Sequence, residues 1–150
     1  MKLSVLENLY AAKTLEESLS IITGLGVHTV EMGAGGYPGK AHCNPEELLA
    51  DKAKFNAFVD TFKKYDVEIC ALAAHGNPLH PDAKTAAAYD ADFKNAVLLA
   101  EKLGGMLLVF LVQLFQHTEN MHRLINNYHS IRSAIFKDIG IIAEAFIHLQ

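Results

Sequence analysis

With 150 residues, 51% of them hydrophobic and 20% charged, the chain is long enough for one domain with a real core and too apolar for disorder. It is short for a complete (β/α)8 barrel, which takes about 250 residues. A net charge of −4 and the absence of any Lys/Arg cluster give no electrostatic footprint for nucleic acid or for an anionic membrane surface.

The first apolar segment, Leu3 to Leu6, is read as a strand. Thr14 opens a helix: Thr14 and Glu17 have the spacing of a capping box, and Leu15, Leu19, Ile22 and Leu25 give that helix one apolar face. Gly24 and Gly26 end it. Thr29 to Met32 is the second strand, and the glycine-rich stretch Gly33 to Gly39 is expected to form a flexible loop after it. Asn44-Pro45-Glu46-Glu47 starts a short helix, with proline at its first position and acids in the first turn. Asp51 caps the next helix, which buries Phe55, Phe58, Val59 and Phe62.

Val67 to Ala73 is the third strand, followed by a loop of turn-forming residues from His75 to Asp82. A long helix runs from about Lys84 to Leu103, with Tyr89, Phe93, Val97, Ala100 and Leu103 on one side. Met106 to Phe115 reads as a fourth strand. Strands two to four begin near residues 28, 67 and 106, a repeat of about 39 residues. Apolar strands alternating with amphipathic helices predict an α/β fold with a parallel sheet. From about Asn120 to Leu149 the apolar residues return at helical spacing, but with Asn, His and Ser between them in place of charged pairs. The expected organisation is therefore residues 1–105 as a β/α array and 106–150 as a fourth strand and a divergent helical tail.

In a parallel β/α array the segments after the strands' C-terminal ends build the functional face. Glu7 and Asn8 follow the first strand, Glu31 ends the second, and His75, Asn77 and His80 follow the third. Glu31 is a carboxylate able to act as a base or accept sugar hydroxyls, or a solvated acid at a strand end. His75 suits proton transfer or substrate contact, or fixes its loop through a carbonyl. His80, between Leu79 and Pro81, suits loop packing as well as substrate contact, and Asn77 before Pro78 is a turn former as well as a ligand. His75 and His80 are five apart with no carboxylate at metal-site spacing, so no metal ligand is assigned. Cys43 and Cys70 lack C-x-x-C spacing and read as reduced thiols of a cytoplasmic protein. The first residues reach Glu7 too soon for a signal peptide, and no apolar run spans a bilayer.

The stretch Val30 to Gly39, then His42-Cys43-Asn44-Pro45-Glu46-Glu47-Leu48-Leu49, resembles sugar phosphate isomerases/epimerases of the xylose isomerase-like TIM-barrel superfamily. Ala74-His75-Gly76-Asn77-Pro78-Leu79-His80-Pro81 is the most specific match, and the resemblance covers Leu3 to Gly105. It implies a partial (β/α)8 barrel of about four parallel strands, acting on a sugar, sugar phosphate or inositol-like polyol. By this analogy Glu31 and His75 lie at the substrate rim; they are the expected catalytic residues, and Asn8, Asn77 and His80 are expected to bind substrate. Members often use a divalent metal (Mn, Mg, Co or Zn) held by the second half of the barrel. That half has no counterpart here, so this chain is expected to bind the metal poorly and to turn over little, as a truncated or frame-shifted product would. Two other readings stand beside it. A non-catalytic module of paired half-barrels would cover its open edges as a homo-oligomer. An oxidoreductase on a doubly wound sheet is disfavoured by the missing G-x-G-x-x-G.

Overall fold

The computed structural model describes residues 3–104 and 107–109. Contacts divide the chain into two units between Gln113 and Leu114, and every described residue belongs to the first. The expected tail, the boundary after residue 105 and the far end of the fourth strand lie outside the described residues.

Leu6 ends a very short strand, β1 (Val5–Leu6), and a 3-10 turn over Glu7–Tyr10 follows at once. Thr14 then caps α1 (Leu15–Gly24) through the reciprocal bonds of a capping box. The Glu17 carboxylate accepts from the Thr14 backbone N–H at 2.8 Å and the Thr14 hydroxyl at 2.9 Å, and these bonds hold its carboxyl below the usual range. Leu19 and Ile22 are fully buried as their spacing requires, but Leu25 is exposed, because the helix has already ended at Gly24.

β2 (Thr29–Gly36) is twice as long as the expected strand, so Gly33 to Gly36 are ladder residues and not a loop. The tight turn that follows ends at Gly39, where the Gly35 N–H reaches the Gly39 carbonyl at 3.0 Å. Two helices come next, α2 (Pro45–Ala50) and α3 (Lys52–Lys64). The Asp51 carboxylate caps α3 by accepting from the N–H groups of Ala53 and Lys54. Phe58 and Phe62 are buried with ring centroids 4.9 Å apart. β3 (Glu68–His75) starts one residue later and ends two later than expected. Asp82 caps α4 (Ala83–Lys102), and β4 (Leu107–Val109) completes the described chain.

All four strands are parallel and lie in the order β1-β2-β3-β4. The fold class is therefore α/β, with a parallel sheet and flanking helices. Among the described strands, each is added to the same edge of the sheet, and their order does not reverse to make a switch-point crevice. Val30, Met32, Ala34, Leu72 and Ala74 join Leu19, Ile22, Phe58, Phe62, Ala96 and Leu99 in one core, so these positions mark the helix-covered face. By alternation Glu31, Gly33, Ala71 and Ala73 belong to the other face. None of the described helices is long and apolar enough to cross a membrane.

Candidate functional site

The C-terminal ends of β1, β2 and β3 share one end of the sheet, and the segments leaving them carry most of the polar residues singled out above. The register separates two of those residues. Glu31 pairs with Ala71, and His75 pairs with Gly36. His75 is four residues further along β3, a distance of about 13 Å at the usual strand rise. Glu31 is thus not a strand-end residue. It is the third residue of an eight-residue strand and half-buried on the face away from the helices. The extension of β2 through its glycines is the cause: with Gly33 to Gly36 in the ladder, the strand's end moves past Glu31.

His75 is the last residue of β3 and is partly buried. Its carbonyl accepts the Tyr37 N–H, which ties the turn after β2 to the end of β3. Beyond it, Asn77 builds the local turn. Its side-chain oxygen accepts from the Leu79 N–H at 3.0 Å and its carbonyl from the His80 N–H at 3.0 Å. The Asp82 N–H donates to Nδ1 of His80 at 3.1 Å. An accepting Nδ1 leaves the proton of the neutral ring on Nε2. Asp82 in turn accepts from the Thr85 hydroxyl and N–H, and these bonds hold its carboxyl below the usual range.

Asn8 lies in the 3-10 turn after β1, and its Oδ1 is buried with no partner among the described residues. An orphaned buried acceptor costs about 1–3 kcal/mol, which a hydroxyl donor placed there would recover. Asn44 presents a second such oxygen, while its Nδ2 donates to Glu47 at 3.0 Å.

Sequence reasoning left the pair beside Asn8 without a role. Glu7 is 2% exposed, and its Oε1 lies 2.6 Å from Nδ1 of His42. Nε2 of the same ring lies 2.6 Å from the Lys13 carbonyl. A carbonyl can only accept, so Nε2 carries a proton and the Glu7–Nδ1 contact shares one more. The pair joins the end of β1, the start of α1 and the segment between β2 and α2. Neighbouring Cys43 is fully buried; burial first, and then the Glu7 charge, push its thiol up to about 12. The only sequence signal for this pair was a single buried-type position, His42-Cys43, 35 residues from an acid; nothing in that spacing names Glu7 as the partner.

A second turn is anchored by Asp92 of α4. Its carboxylate accepts from the Gly36 N–H at 2.9 Å and from Lys40 Nζ at 2.7 Å. Among the described residues, no group of three or more His, Cys, Asp or Glu is placed to hold a metal ion. Two of the donors at this end are already committed: both nitrogens of His42 are engaged, and Asp92 holds Lys40. A cleft of about 810 Å³ lies at the opposite, N-terminal end of the strands, lined by residues such as His28, Phe62, Lys63 and Glu68. It touches none of the residues above.

No known family profile matches the chain. Over 81 residues it is 36% identical to a Bacillus subtilis (strain 168) protein described as uncharacterized protein YfiH, a match covering 54% of this chain. The match covers 26% of that relative, so the chain aligns with about a quarter of its length.

Proposed function

We propose that the end of the sheet formed by β1, β2 and β3 is the substrate rim of a sugar isomerase or epimerase lineage, built as an arc of a (β/α)8 barrel. The observation that carries this reading is the uninterrupted parallel order of the strands, which delivers Asn8, His75, Asn77 and His80 to one end. Barrels put their chemistry at that end of the strands. The polar set there suits a polyhydroxylated ligand: an orphaned Asn8 acceptor for a hydroxyl, a histidine at a strand end for proton transfer, and a His80 Nε2 donor. Glu31, deeper along β2, takes part as a carboxylate beneath the rim rather than as the direct partner of His75. A divalent metal in this lineage would polarise the carbonyl of the substrate. The reading places the protein in the cytoplasm, with Cys43 and Cys70 as free thiols.

The second reading is a non-catalytic binding module, assembled by pairing of half-barrels; β1 at the end of the strand order favours it. Calorimetric titration of the whole chain with sugars and polyols, followed by isomerisation assays with and without added Mn²⁺ or Mg²⁺, separates the two. Binding with metal-dependent turnover supports the enzyme, and binding without turnover supports the module. No binding to any sugar or polyol rejects both.

A further inference from the structure

We propose that Tyr37 is an aromatic platform for the substrate, stacking on the C–H face of an unphosphorylated sugar or polyol ring; this rests on the sugar reading of the rim. Tyr37 is 94% exposed, yet the backbone of its turn is held by hydrogen bonds to β3 and α4. Its own N–H donates to the His75 carbonyl, the Gly35 and Gly39 N–H groups close the turn around it, and Asp92 grips Gly36 and Lys40 on either side. The turn admits only glycine where it touches its supports. At Gly36, with φ +63°, a Cβ would lie 1.9 Å from the His75 carbonyl oxygen, and at Gly35 it would lie 2.8 Å from Asp92. A single exposed aromatic is ordinarily without meaning. This one stands on a rigid turn fastened to the last residue of β3, at the end of the sheet that carries Asn8 and Asn77.

The ligand class follows from the sugar reading of this end of the sheet. Asn8 and Asn77 at the same end carry hydrogen-bonding groups, while the Tyr37 ring offers a flat apolar area with a hydroxyl at its tip. A sugar ring matches both, with hydroxyls around its edge and C–H bonds on its face. The turn's own lysine, Lys40, is neutralised by Asp92 at 2.7 Å, so the turn presents no cation for a phosphate.

The chain contains no tryptophan, so Tyr37→Trp introduces a single distinctive fluorophore at the site. The experiment titrates this variant with myo-inositol, D-fructose and D-fructose 6-phosphate, and measures the same ligands calorimetrically on the wild type, Tyr37→Phe and Tyr37→Ala. A saturable change in tryptophan emission is expected, with binding about tenfold weaker in Tyr37→Ala and near wild type in Tyr37→Phe. The phosphate should add no affinity. Equal affinity of wild type and Tyr37→Ala would overturn the platform and leave the sugar reading standing. A phosphate-dependent gain would overturn the assignment to an unphosphorylated ring. An emission change that follows protein concentration without ligand would mark Tyr37 as a contact between copies and overturn the proposal. No heat with any ligand on the wild type would reject the sugar reading itself, and the platform with it. Far-UV circular dichroism of each variant confirms that the fold compared is the same.

Discussion

Two buried polar groups near the end of β1 determine how single residues respond to change. Removing His42 leaves the Glu7 carboxylate buried without its partner, and a broken buried pair typically costs about 3 kcal/mol. His42→Ala should therefore shift the urea midpoint strongly. Glu7→Gln should cost much less, because its amide N–H can donate to the unprotonated Nδ1 while Nε2 keeps its bond to the Lys13 carbonyl. Equal losses in the two variants would show that the imidazole needs a charge opposite it. Cys43 gives the pH dependence. Its thiol is raised to about 12 in the fold, so the fold favours the neutral form. The contribution is fully present below the ordinary thiol range near 9 and is lost as pH rises from there toward 12, at about 1.4 kcal/mol per unit. Cys43→Ala should flatten that alkaline loss relative to the wild type, as read by denaturation at pH 8 and pH 11. An identical slope would place the alkaline sensitivity elsewhere.

At the scale of elements, the positions that sequence reasoning identified well are those where one local rule decides. The Thr14–Glu17 box, the Asp51 cap and the paired Phe58 and Phe62 are legible because a cap or a helical face needs only residues three or four apart. The end of β2 was not legible. Gly33 to Gly36 read locally as a loop, yet they pair with Ala73, Ala74 and His75 because that part of the ladder is decided by the approach of β3, whose paired residues lie 39 or 40 positions further along the chain. The same non-local fact moved Glu31 from the rim into the strand. Gly36 is where this packing is tightest. Gly36→Ala would need a left-handed backbone conformation and would push a methyl into the His75 carbonyl. A loss of about 1–3 kcal/mol is expected, with amide exchange accelerated at Tyr37. Unchanged stability would mean that the ends of β2 and β3 are not held together as described.

At the scale of the molecule, continuous apolar strands and a β/α repeat made the parallel sheet readable, since both features are properties of the chain itself. Which residues meet at its end is a property of register and of the turns, and only part of it showed in the sequence. Asn8, His75, Asn77 and His80 were placed at the right end of the strands, whereas Glu7 and His42 meet through a contact no motif announces. The central claim is that this end, and not the cleft near His28 and Glu68, receives the ligand. Amide chemical-shift mapping of the isotope-labelled chain during titration with myo-inositol tests it directly. Saturable shifts at Asn8, Gly36, Tyr37, His75 and Asn77, with His28 and Glu68 unmoved, are the predicted result. Shifts gathered at His28, Lys63 and Glu68, or none anywhere, would contradict it.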